Sequence, residues 1–78
     1  MAENRYPVFD NTQKFIEIGY NIAYYRKHAG LTQEQLAEKV NMSVGFFGEV
    51  EREEKLPGLE IFVSIAIALD VSTDYILR

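Results

Sequence analysis

Apolar residues recur in this chain at three- and four-residue intervals, in short bursts. Each burst is followed by a residue that stops a helix, and no stretch alternates long enough to make a strand. The first burst, Phe15, Ile18, Ile22 and Tyr25, follows two possible caps, Asn11 and Thr12, and runs to Gly30. Thr32 and Gln35 have the spacing of a capping box, with Leu36, Ala37 and Val40 as the inward stripe of a helix of about two turns. Asn41 tolerates the left-handed conformation that ends it. Ser43 caps a third helix with Phe47 and Val50 inward and Phe46 and Glu51 at its edges, ending before Pro57 in a loop from Glu53 to Gly58. Leu59, Phe62, Ile65, Ala66 and Leu69 predict a fourth helix, apolar on nearly every side and therefore expected to be the central, most buried one. Ser72 caps a last short helix carrying Tyr75, Ile76 and Leu77.

The expected fold is one all-α domain of five helices over residues 12–78. It is preceded by an arm, residues 1–11, that holds Pro7 and the apolar anchors Tyr6, Val8 and Phe9. Seventy-eight residues leave no room for a second ordinary domain. The chain has no cysteine, and His28 is its only histidine, so no metal centre is expected. A lone histidine near a helix C-terminus is far more often a surface residue placed against the dipole than a catalyst. The glutamates at 49, 51, 53 and 54 are interleaved with Arg52 and Lys55, which suits a solvated face better than a cation site. No Gly-rich phosphate loop, nucleophile–base set or catalytic carboxylate pair can be assembled, so neither an enzyme nor a cofactor is expected. The longest apolar stretch, Ile61 to Leu69, is too short for a bilayer, and the chain does not open on a basic segment followed by an apolar run. A cytoplasmic protein without a membrane partner is the expectation.

Helices two and three are joined by Asn41, Met42 and Ser43, the length of connection that lets one helix cross the next. Around that joint GLTQEQLAEKV, the VERE of helix three and LPGLEIFVSIAIALDVSTDYIL follow one another. From Ile18 to Leu77 the chain resembles the Xre or Cro-type helix-turn-helix regulators, a phage repressor-like family. Its pattern has a Gly-Leu-Thr-Gln start, an Ile-Glu-Arg-Gly end to helix three and a late Ala-Leu-Gly-Val-Ser. The resemblance implies a lambda-repressor-like five-helix domain that binds double-stranded operator DNA and regulates transcription, as a homodimer on a two-fold operator.

The DNA-facing set that it implies is Thr32, Gln33, Ser43, Val44, Gly45, Gly48, Glu49, Arg52 and Lys55. Gln33 would hold a phosphate, helped by its helix-start amide, and Arg52 another, with Lys55 in the supporting loop. Ser43, Val44, Gly45 and Glu49 would enter the major groove. Arg26 and Glu51 would form a partly buried ion pair between helices one and three. At the groove positions Val44 offers a methyl contact to thymine, Gly45 admits the backbone closely, and Glu49 supplies acceptors only, which suits cytosine. Gly45 and Gly48 each cost helix three roughly 1 kcal/mol relative to alanine. Glu53 stands where the family has its glycine, so that turn is expected to be strained or different.

From Thr32 to Gly58 three bases (Lys39, Arg52, Lys55) face six acids (Glu34, Glu38, Glu49, Glu51, Glu53, Glu54), most of the chain's net charge of -4. That acidity supports an alternative: helix three binds a protein partner, such as another regulator, through Val44, an outward Phe46 and the two glycines. Phe46 discriminates the two, because the DNA-binding alternative keeps it at the edge of the core. Dimer contacts are expected from Tyr75, Ile76 and Leu77 or from the arm. Tyr25 is expected in the core, and Tyr20 and Tyr24 on a shared outer face able to receive the arm or a second subunit.

Overall fold

The structure is a computed structural model that describes residues 12–77, with side-chain surroundings from Glu17 onward. The expected arm, residues 1–11, and the side chain of Phe15 lie outside that description. Five helices follow one another: α1 (Thr12–His28), α2 (Gln33–Lys39), α3 (Val44–Glu51), α4 (Leu59–Leu69) and α5 (Thr73–Leu77). No strand occurs among the described residues.

Helices α2, α3 and α5 start on side-chain caps, whereas α4 starts at Gly58 without one. Thr32 Oγ1 accepts from the Gln35 amide at 3.0 Å while Gln35 Oε1 accepts from the Thr32 amide at 2.8 Å, a complete capping box. Ser43 Oγ accepts from the Phe46 amide, and Ser72 Oγ from the Asp74 amide, both at 3.1 Å.

Helices α1 to α4 all stop in the same way. Gly30, Asn41, Glu53 and Asp70 take φ of 74°, 59°, 67° and 58°. In each case the residue after the left-handed one donates its amide back across the last turn: Leu31 to Arg26 O, Met42 to Ala37 O, Glu54 to Glu49 O and Val71 to Ala66 O. These are Schellman ends, which satisfy the orphan carbonyls of the helix. Only Gly30 adopts the conformation without a Cβ penalty.

The core is Ile18 and Ile22 from α1, Leu36 and Ala37 with Val40 at the end of α2, Phe47 and Val50 of α3, Ile65, Ala66 and Leu69 of α4, and Ile76 of α5. Tyr25 and Phe46 are half-buried at its edge. Asn21 Nδ2 donates to Ile76 O at 2.8 Å, holding α5 to α1.

Two expectations need correction. Helix α4 is not the most buried element: Leu59 is 78% and Ile67 73% exposed, and only Ile65, Ala66 and Leu69 are enclosed. The reason is the number of neighbours: α1, α2 and α5 pack on one side of α4, and among the described residues nothing covers the other. Apolarity on every side predicts burial only where the chain supplies enough elements to surround the helix. Ile76, expected at a dimer contact, is fully enclosed in the core, whereas Tyr75 and Leu77 beside it are more than two-fifths exposed.

Candidate nucleic-acid interface

Helix α3 has two faces. Phe47, Val50 and Glu51 point inward and are buried, and Phe46 packs half-buried against the core. With about 100° per residue, Val44, Gly45, Gly48, Glu49 and the capping Arg52 fall together on the opposite side. Val44 and Gly45 are exposed, Glu49 is half-buried, and a Cβ built on Gly45 would meet nothing within 4 Å. The outer face therefore starts flat and unobstructed.

Gly48 differs from Gly45. It is buried because Arg52 folds back over it: a Cβ there would come within 2.9 Å of Arg52 Nη1, with Gln33 Oε1 next at 3.7 Å. Gly48 thus seats the Arg52 guanidinium between α3 and the start of α2. The same guanidinium donates from Nε and Nη2 to the Glu54 carboxylate, both at 3.3 Å, in an exposed pair. Lys55 is exposed in the following loop, and Thr32 and Ser43 are exposed at the two helix starts.

Behind this face lies the network that sets its angle to α1. Arg26 of α1 donates from Nε to Glu51 Oε2 at 2.6 Å and from Nη2 to Glu51 Oε1 at 3.0 Å, and its Nη1 reaches Leu31 O at 2.7 Å. Both residues are buried, at 9% and 8% exposure. The bidentate fork satisfies the carboxylate and fixes the rotation of α3 about its axis. Gln33 Nε2 adds a third donor to Glu51 Oε1 at 2.8 Å, so the side chain expected at a phosphate is half-buried and tied to the ion pair. It links the first residue of α2 to the last of α3. Since Arg26 neutralises Glu51, the acid excess counted along the sequence is one charge smaller at the surface.

Reasoning from sequence did not single out Gly19. It sits on the buried side of α1, where a Cβ would lie 2.5 Å from Val50 O and 3.1 Å from Glu51 O. The missing side chain lets α1 touch the carbonyl end of α3. A signal was available, a glycine between Ile18 and Ile22 on a buried stripe, but from sequence it is only a weak helix position.

Among the described residues no group of three or more His, Cys, Asp or Glu is placed to hold a metal ion, and no helix is long and apolar enough to cross a membrane. His28 is exposed, with its ring 4.2 Å from that of Tyr24 and Nδ1 3.1 Å from Tyr24 O.

Known proteins share this architecture. An uncharacterized HTH-type transcriptional regulator of Bacillus subtilis, YobD, is 48% identical over 52 residues, a stretch that covers 67% of this chain but 46% of YobD. This chain thus spans about half the length of that relative. The restriction-modification controller protein C.AhdI from Aeromonas hydrophila superposes with a TM-score of 0.78 at 26% identity, over 82% of this chain and 97% of C.AhdI. The biofilm master regulator SinR, in a crystal structure with DNA, superposes with a TM-score of 0.74 at 31% identity, over 78% of this chain and 98% of that one. SinR also matches from its complex with the SinI protein. Residues 22–76, from the middle of α1 into α5, match the helix-turn-helix family HTH_3, and the chain belongs to that family.

Proposed function

We propose that this protein is a transcriptional regulator that binds operator DNA in the cytoplasm as a homodimer, with the outer face of α3 in the major groove of each half-site. The observation that carries this reading is the direction of Phe46. It packs against the core and leaves the outward face to Val44, Gly45 and Glu49, small or polar groups that let a helix lie close to base edges. A protein-binding α3 needs Phe46 outward as an anchor. Arg52 on its Gly48 seat, Lys55 in the loop and the amides at the starts of α2 and α3 surround that face and would clamp phosphates on either side. The membership in HTH_3 and the likeness to SinR, seen with DNA, support the same reading.

Few cations imply that specificity comes from groove fit rather than from charge. Val44 would read a thymine methyl and Glu49 a cytosine amino group, each discriminating by roughly 1–3 kcal/mol at best. The test is selection from a random duplex library followed by footprinting. A two-fold motif with protection over two half-sites about one helical turn apart is expected. No enrichment after selection, from protein shown to be folded, overturns the reading and turns attention to a protein partner for α3.

A further inference from the structure

The uncovered side of α4 carries Leu59, Val63 and Ile67, spaced by four residues and exposed at 78%, 39% and 73%. They form one row along the helix, about 12 Å from first to last. Leu56, 45% exposed, extends the apolar surface from the preceding loop. Beside the row run Glu60, Ser64 and Ala68, on one flank of it. Lys39 of α2 lies on that flank at the C-terminal end, where it lines a shallow depression of about 350 Å³ with Ser64, Ile67 and Ala68. Glu60 lies on the same flank at the N-terminal end, and both charges are exposed.

We infer that this face of α4 is the surface on which a second copy of the chain docks, with the two α4 helices antiparallel across a two-fold axis near Val63. The inference rests on the dimeric reading proposed above and gives that dimer a surface other than the enclosed Ile76. The charge pattern singles out a second copy as the occupant. A two-fold axis perpendicular to the helix exchanges its ends and preserves its flanks, so Glu60 of each copy meets the depression of the other and reaches its Lys39. Both copies gain the same pair, as an isologous interface requires. A parallel arrangement keeps the ends and exchanges the flanks, so it would leave the Glu60 and Lys39 of each copy on opposite flanks, without a pair across the interface. In the antiparallel one Leu59 also covers the end of the helix that carries Ile67, the two most exposed apolar residues of the row. The strip is narrower than the roughly 800 Å² per partner of a strong dimer, so association should be modest and reinforced by binding to two half-sites.

Sedimentation velocity on the full chain over a concentration series tests this, with thermal melts of every variant as the check on folding. The wild type should form a concentration-dependent dimer, and I67K, at a position already open to solvent, should be monomeric with an unchanged melt. K39E and E60K should each weaken the dimer by about tenfold or more, because each places like charges opposite one another twice. The double variant K39E/E60K, with both pairs reversed, should recover most of the loss. A wild type that stays monomeric at every concentration overturns the inference and leaves the row for a different protein. A dimer indifferent to I67K overturns it too, and a double variant weaker than either single overturns the antiparallel register. Mobility shifts on the same samples separate the two proposals: a wild type that dimerises through α4 yet binds no duplex upholds this surface and refutes the DNA-binding function.

Discussion

Gly19→Ala should destabilise the protein although it replaces glycine by the best helix former. On propensity alone the change is worth about 1 kcal/mol in favour of the folded state. The packing opposes it. A Cβ at this position would lie 2.5 Å from Val50 O, roughly 0.9 Å inside ordinary contact, and 3.1 Å from Glu51 O. Val50 O cannot move alone, since it accepts the Glu53 amide at 3.1 Å at the end of α3. Helix α1 must therefore back away from α3, stretching the Arg26–Glu51 fork, whose shorter arm is 2.6 Å. Overpacking of this kind costs roughly 1–3 kcal/mol, and a rigid backbone obstacle places it at the upper end. Subtracting the propensity gain leaves a loss of about 2 kcal/mol, or a Tm lower by roughly 10–15 °C for a domain of this size. Gly45→Ala is the matched control: α3 is helical there, nothing lies within 4 Å of the new methyl, and stability should rise by up to about 1 kcal/mol. Urea and thermal unfolding followed by circular dichroism read both. If Gly19→Ala is neutral or stabilising, the close approach of α1 to the carbonyl end of α3 does not exist as described.

The Arg26–Glu51 pair should behave as a buried one: removing either partner should cost roughly 3 kcal/mol, and a double-mutant cycle by urea denaturation should give a coupling well above the ~1 kcal/mol of surface pairs. Absence of coupling would contradict the bidentate fork. Glu53→Gly should stabilise by about 1 kcal/mol by relieving a left-handed non-glycine residue, less whatever the Glu53 side chain gains beside Gly19; a loss of stability would mean that this contact outweighs the backbone strain. Glu54→Gln should raise affinity for duplex DNA, because it frees the Arg52 guanidinium without touching the core, and titration by fluorescence anisotropy should show no gain if that exposed pair is irrelevant.

The helices were legible because each has both a periodic stripe and punctuation. Thr32 with Gln35, Ser43 and Ser72 cap as their residue types dictate, and Gly30 and Asn41 are left-handed where the pattern ends. Glu53 and Asp70 take the same conformation with side chains less suited to it than glycine, so local propensity alone does not mark those ends. The inward side of α3 was legible too, down to Phe46 at the edge of the core. What sequence could not reveal depends on distance across the fold. Whether α4 is surrounded or has a bare side is decided by how many helices reach it. The bond from Gln33 to Glu51, the folding of Arg52 over Gly48 and the touching of α1 and α3 at Gly19 each join residues on different helices or set a rotamer, and periodicity encodes neither.

On the proposed function, the outer face of α3 engages DNA with very few phosphate contacts. The most direct test of this is the salt dependence of binding to a duplex selected by the protein, measured by fluorescence anisotropy. With about two phosphates neutralised per subunit, by Arg52 and Lys55, log affinity should fall by roughly 2 per decade of salt for each subunit, doubled in a dimer. Arg52→Ala should lower that slope by about 1 per subunit, and Glu49→Gln should raise affinity while leaving it unchanged. If the folded wild type binds no duplex even at the lowest salt, and Glu49→Gln does not restore binding, the helix-turn-helix of this chain does not serve DNA.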